Sequence, residues 1–295
     1  MHLGGIFHGF NQLVLYSFSQ AETFLGMVIR LIERICMGFL LLLSAYPFLW
    51  MVLSSFKTNR EIYNPAQLFP QSLDPFAYRL LFSGEFIDFY EVLIRSILLA
   101  GGQAIFASLI TAAVGFAIAK GRFRGKMILS GLSLLVILYP KQAMNLSLFE
   151  WMASMEITGS PYGLLISGVA SGLGVLFFTQ VFRKIPDELM DLARVEGQSL
   201  VRSFICFLPL IKPALITYCI LHFFLCWQDH LLPLLVLGSD QLTLPLALAK
   251  LGDSSYRIPE GVGLAAGVLA MIPLLVLFGL FFRQIRTALS DWVVS

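Results

Sequence analysis

Residues 183–213 read RKIPDELMDLARVEGQSLVRSFICFLPLIKP, one long polar interruption in a chain of apolar runs. Their order carries the punctuation of two helices. Pro186 can open a helix in its first turn, where the missing N–H costs nothing. Asp187, Glu188 and Asp191 crowd the N-terminal end, where the helix dipole favours negative charge. Leu189, Leu192, Ala193 and Glu196 follow at helical spacing, and Gly197 suits a C-terminal stop because glycine tolerates the left-handed conformation. Ser199 can cap a second helix carrying Phe204, Ile205 and Phe207, after which Pro209 and Pro213 mark the return to apolar sequence. The first helix is too short to be stable alone, so it is expected to dock on a partner.

The surroundings of this segment are membrane-like. Of the 295 residues, 58% are hydrophobic and 13% charged, against about 25% charged in a soluble domain. About 20 apolar residues cross a bilayer core as a helix. Ile35–Phe56, Ser96–Ala119, Tyr162–Phe182 and Gly261–Phe282 qualify without a charge, and Pro213–Leu237 qualifies while containing Asp229. Met127–Phe149 spans if it is read through Pro140 and Lys141, and is too short if it stops at Pro140. Six spans put the basic stretches 1–34, Lys120–Lys126, Arg183–Lys212 and the tail from Arg283 on one side. The bias of Lys and Arg toward the cytoplasm then places both termini and residues 183–213 there, with 57–95 and 238–260 facing outward. Gly168-x-x-x-Gly172 and Gly263-x-x-x-Gly267 have a spacing that permits close helix contact.

Several chemistries are excluded. Cys36, Cys206, Cys219 and Cys226 form no CxxC and lie near no histidine pair, which leaves them as small packing residues rather than metal ligands. Residues 1–30 lack the ordered basic, apolar and small-residue regions of a cleavable signal peptide. Gly121-x-x-x-Gly125-Lys126 has one residue too few for a phosphate loop and no Ser or Thr after the lysine.

The pattern Ile185-Pro186-x-Glu188-Leu189-x-Asp191-Leu192-Ala193-x-x-Glu196-Gly197, with Leu208-Pro209 and Pro213 after it, resembles the EAA loop of ABC importer permeases. The best likeness is to the maltose MalG-like group of binding-protein-dependent carbohydrate importers. Pro47-x-x-Trp50-x-x-x-x-Ser55-Phe56-Lys57, Ala117–Lys126, Trp227-Gln228-Asp229 and Thr243-Leu244-Pro245-Leu246 resemble the same family in order, over roughly residues 40–286. The chain departs from the pattern in three places. Asp191-Leu192-Ala193 stands where the family has Glu-Ala-Ala, Glu196-Gly197 stands for Asp-Gly, and Ala288–Ser295 does not match the family's glycine-rich tail.

The resemblance implies an all-α integral membrane protein of six transmembrane helices, the MetI-like type I importer permease fold, with a cytoplasmic coupling helix. Its parts would be a cytoplasmic segment 1–34, a permease domain 35–286 (core 92–286, EAA loop 183–213) and a short cytoplasmic tail 287–295. The chain would sit in a bacterial inner membrane beside a second homologous permease, receiving a sugar or related solute from an external binding protein. No cofactor and no catalytic activity are implied for this chain, since ATP and magnesium belong to separate ABC ATPase subunits, and no nucleic acid is involved. Coupling to the ATPase would run through Pro186, Glu188, Leu189, Asp191, Leu192, Ala193, Glu196, Gly197 and Pro209. The loop bearing Leu248, Ala249, Lys250, Asp253 and Tyr256 would meet the binding protein.

Ionisable groups within spans are costly and usually face an interior or an aqueous cavity. Lys141 and Asp229, with Gln228 and His230, are therefore candidates to line the translocation path or pair across it. Alternatively, Asp229 sits near the outer end of its span and Lys141 snorkels to the interface. Phe223, Phe224 and Trp227 are either sugar-stacking faces or lipid and helix contacts. An ion-coupled secondary transporter is the competing class, though such proteins usually carry an internal repeat and none is evident between the halves. Placing a charge in the coupling loop discriminates between the classes. Gly197→Asp is expected to lower solute uptake per ATP hydrolysed about tenfold or to block assembly with the ATPase. A fully active variant would remove the loop's assigned role.

Overall fold

The computed structural model describes residues 4–64, 66–238 and 240–293, with side chains over 26–286 except at 28, 65, 239, 254 and 285. Most side chains of the N-terminal segment 1–34 and those of the tail 287–295, both named above, lie outside the described set. Fourteen α-helices account for the described fold: α1 Gly4–Ser54, α2 Asn59–Ile62, α3 Phe76–Phe82, α4 Phe89–Lys120, α5 Lys126–Leu138, α6 Lys141–Ser154, α7 Pro161–Val169, α8 Gly172–Arg183, α9 Asp187–Val195, α10 Leu200–Phe207, α11 Lys212–Trp227, α12 Leu231–Val236, α13 Leu244–Leu251 and α14 Glu260–Val293. Four stretches are long and apolar enough to cross a membrane unbroken: Ile29–Ser54, Phe89–Lys120, Leu200–Trp227 and Glu260–Gln284. Two further pairs are bent at a break, α5 with α6 by 108° and α7 with α8 by 42°. Counting each bent pair as one span gives six.

Two boundaries differ from the sequence reading. Met127–Phe149 does not run through Pro140. Tyr139 is extended (φ −81°, ψ 131°) and so is Pro140, because the residue before a proline is pushed out of the helical region and proline itself lacks an N–H. The span expected over Pro213–Leu237 ends at Trp227 and begins at Leu200, since a 3₁₀ turn over Leu208–Ile211 carries α10 into α11 despite Pro209 and Pro213. The residues after Trp227 form the separate short helix α12.

Helix α4 is the spine. Between Ala100 and Gly115 its buried residues are small apart from Gln103: Ala100, Ala104, Ala107, Ser108, Thr111, Ala112 and Gly115, at three- and four-residue spacing. Small faces let backbones approach when lipid offers no hydrophobic drive between helices. Ser108 and Thr111 donate their hydroxyls to the carbonyls of Ala104 and Ala107, so neither is an unsatisfied polar group. A Cβ on Gly115 would stand 2.8 Å from both Phe178 Cβ and Thr179 N of α8, and one on Gly174 would stand 2.6 Å from Thr111 Oγ1. Gly168 packs against the Gln103 side chain and Gly172 against the Ser133 carbonyl of α5, whereas Gly263 leaves 3.6 Å to its nearest neighbour.

Beside this seam, Phe116, Phe178, Phe182, Phe207 and Tyr218 interleave into one aromatic core at the α9 end of the bundle. A second core joins α3, α4, α11, α13 and α14 through Leu81, Phe89, Trp227, Leu244, Ala247 and Val262. Cys219 and Cys226 pack against it. By contrast, the Phe39–Leu43 face of α1 is bare, as a lipid-facing surface is.

Filling the α4–α8 contact should be costly while filling open space should not. Gly115→Ala is expected to lose about 1–3 kcal/mol of stability through overpacking. Gly101→Ala, where an added Cβ meets nothing within 4 Å, should leave the melting temperature of the detergent-solubilised protein unchanged.

Candidate functional site

Three helix breaks converge on one cavity of about 520 Å³. They are Tyr139–Pro140 between α5 and α6, Ala170–Ser171 between α7 and α8, and the segment before α12 containing Asp229. Broken backbone at membrane depth is tolerated where it lines a cavity, because its freed polar groups need partners that lipid does not supply. The second break comes from Ser171, whose side chain accepts from Gly174 N and caps α8.

Lys141 begins α6 and Asp229 follows α11, and the two breaks bring them together: Lys141 Nζ donates to Asp229 Oδ2 at 2.8 Å. The lysine side chain is 62% exposed and the aspartate 19%. Both line the cavity, whereas Gln228 and His230 are exposed and do not. Polar groups embedded in apolar helices complete the wall. Gln103 Nε2 donates to the Leu164 carbonyl at 2.8 Å, and Ser96 Oγ accepts from Leu244 N at 2.8 Å. His222 Nδ1 lies 3.4 Å from the Tyr218 hydroxyl. The buried Thr243 Oγ1 has no protein partner and lines the same space. Of the aromatics, Phe223 and Trp227 are buried and stack on one another at 5.3 Å, with Trp227 also at the cavity wall, while Phe224 is exposed outside it.

At the far end of α4 stands α9. Pro186 precedes it as the N-cap, one residue earlier than a first-turn position, and Gly197 ends it at φ +72°. The Gln198 N–H then returns to the Ala193 carbonyl at 2.9 Å. One face of α9 is inserted: Met190 is 3% exposed among the aromatic core of Phe116, Phe178, Phe182 and Phe207. The other faces are open. Glu188, Leu189, Asp191, Leu192 and Val195 are exposed, as are Pro186, Glu196, Gly197 and Pro209, and Ala193 is half-buried.

Polar contacts among the described residues tie α9 to the end of α4. Lys120 Nζ donates to the Ile185 carbonyl at 2.5 Å and to Asp187 Oδ1 at 2.5 Å. Arg194 Nη2 returns to the Lys120 carbonyl at 3.1 Å. The hydrogen bond from Lys120 holds the Asp187 carboxyl below the usual carboxylate range. Asp191 pairs with Arg194 at 2.5 Å and stands 3.6 Å from Arg122, so its charge is engaged within the chain.

The segment expected to be a loop around Leu248 is largely a helix. Pro245 sits in the first turn of α13, and Leu244, Ala247 and Leu251 are buried in the core it shares with α4 and α14. Leu248 packs on that core, Lys250 Nζ lies 5.8 Å from the Tyr256 ring centre, and Ala249, Asp253 and Tyr256 are exposed. Hydrogen bonds from Ser255 lower the Asp253 carboxyl's proton affinity.

Comparison with known proteins agrees with this architecture. No family model matches the chain. It is 28% identical over 263 residues to the arabinooligosaccharides transport system permease protein AraQ of Halalkalibacterium halodurans, covering 86% of this chain and 92% of the relative. It is 28% identical over 269 residues to the trehalose transport system permease protein SugB of Mycobacterium tuberculosis, covering 90% and 96%. The fold superposes with a TM-score of 0.77 on a chain of a bacterial ABC transporter involved in import of the acidic polysaccharide alginate, at 16% identity over 87% of this chain and 96% of that one. The chain is a relative of sugar transport system permeases in the fold of an ABC importer permease.

An ion pair at a cavity wall leaves an unpaired charge when one partner is removed. Lys141→Met and Asp229→Asn are each expected to lower solute uptake in cells at least about fivefold, with expression and melting temperature near wild type. Unchanged uptake in both would mean the pair does not serve the path.

Proposed function

We propose that this chain is a membrane-spanning permease subunit of an ATP-driven importer that moves a sugar or related solute delivered by an external binding protein. Its partners are ABC ATPase subunits, which carry ATP and magnesium, and a second homologous permease that completes the pathway. It works in a bacterial inner membrane with both termini in the cytoplasm.

The observation that carries this reading is α9. A nine-residue helix does not persist by its own propensity. Here it is seated by Met190 on one side and offers Leu189, Leu192 and Val195 on another, with the last 86% exposed. An apolar stripe at the end of a membrane bundle, held by charge pairs rather than by lipid, suits a groove on a soluble partner. Leu192, where the family carries alanine, asks for a roomier groove. Closure of an ATPase pair on two such helices would shift the bundle between inward- and outward-facing arrangements as rigid bodies, by no more than the differential affinity of ATP for the two states. The cavity between the three breaks is the proposed path, and the exposed end of α13 with Asp253 and Tyr256 is the proposed contact for the binding protein. Nothing in the fold or among the relatives favours the ion-coupled alternative.

Leu192→Glu tests the docking face without touching the bundle, because Leu192 is 57% exposed. The variant should insert normally yet retain about tenfold less ATPase subunit on purification. Wild-type retention would refute the docking role.

A further inference from the structure

We propose that Lys120 is the positioning residue through which motion of α9 passes to α4 and so to the wall of the cavity. This rests on the reading of α9 as the ATPase-docking helix.

Helix α9 is joined covalently to α8 and α10 by turns of a few residues, one of which contains Gly197 in a left-handed conformation. Turns of that kind transmit force poorly, because a few dihedral angles absorb a displacement. The polar attachment, which acts beside the packing of Met190, is different. Both ends of α9 converge on one residue of α4: the Lys120 side chain holds Ile185 O and Asp187 Oδ1 at the N-terminal end, and the Lys120 carbonyl receives Arg194 from the C-terminal end. Lys120 is withdrawn from solvent, its side chain 4% exposed, while Asp187 is 84% exposed.

That asymmetry decides which helix moves with which. A buried ammonium that loses its partners is left uncompensated, a penalty an exposed pair does not carry. Arg122 and Asp191, at 3.6 Å with both side chains more than half exposed, can part with little cost. Lys120 cannot leave Ile185 and Asp187 on those terms, so α9 and the end of α4 travel together.

Helix α4 is also suited to carry the displacement onward. It has no proline or break across its 32 residues, whereas the bent pairs α5–α6 and α7–α8 are interrupted at the cavity. Gln103 and Ser96 stand on α4 at the cavity, the nearer of them about 26 Å along the axis from Lys120 at 1.5 Å per residue. A shift of Gln103 would be felt at once by α7, through its bond to the Leu164 carbonyl and its packing on Gly168.

The test uses the complete complex with its co-purified subunits in proteoliposomes and needs no knowledge of the solute. With the four native cysteines replaced by serine, Met144→Cys provides a probe at the cavity wall. Its labelling rate by a methanethiosulfonate reagent is compared with and without Mg-ATP. With Lys120 present, ATP should change the rate at least about fivefold. In Lys120→Met the complex should still hydrolyse ATP while the labelling rate no longer responds, and Lys120→Arg should restore most of the response. Asp187→Asn, at an exposed position, decides the matter if Lys120→Met does not assemble, and should reduce the response at least about threefold. An undiminished response in Lys120→Met, or in Asp187→Asn where that variant decides, overturns the role of Lys120. No co-purified ATPase, or no response with Lys120 present, would instead overturn the reading on which it rests.

Discussion

A polypeptide in a bilayer has no water to satisfy its backbone, so every interruption of a helix must face protein or an enclosed aqueous space. That constraint organises this molecule. α4 is long and apolar enough to cross without a break, and so are α1 and α14 although they carry Pro47 and Pro273. The interruptions near Pro140, Ser171 and Asp229 are gathered around one cavity, where Lys141, Asp229, Gln103 and Thr243 also lie. The cavity is thus a consequence of where the chain can stop being helical. The same constraint explains the α4 seam: with alanine, serine, threonine and glycine on its buried face, neighbouring backbones approach closely and the hydroxyls are satisfied by their own helix.

The two candidate regions lie well apart on α4, one near Ser96 and Gln103, the other at Lys120. Their polar chemistry differs in kind. At the cavity, an ion pair joins two helix breaks and leaves the lysine largely exposed to the open space. At α9, a buried lysine holds an exposed aspartate and a backbone carbonyl. A pair of the first sort can be opened by a solute that offers its own hydrogen bonds, while one of the second sort fastens parts together.

Local punctuation was the legible part of the sequence. Pro186, the acidic first turn, Gly197 and Ser199 mark α9 and the start of α10 to within a residue, because caps and stops act over one turn. The charge of Lys141 and Asp229 inside apolar runs was equally visible. Less visible was anything set by tertiary contact. Met190 and Leu189 are adjacent and alike, and only the aromatic core decides which of them is inserted. The break at Ser171 carries no proline or charge and arises from a serine cap beside a glycine pressed on the Ser133 carbonyl. Gln103 was diluted within an apolar stretch, and α13 was hidden between turn-forming residues. Lys120 and Asp187 lie 67 residues apart, so their bond leaves no local trace.

The central claim is that this bundle is driven through α9 by ATP bound elsewhere. Uptake into proteoliposomes measures it most directly, comparing the purified complex supplied with ATP, binding protein and a panel of labelled oligosaccharides against the single chain under an ion gradient alone. The account predicts uptake of at least one sugar by the complex only when ATP is present on the α9 side, and none by the single chain. Gradient-driven uptake by the single chain would contradict it.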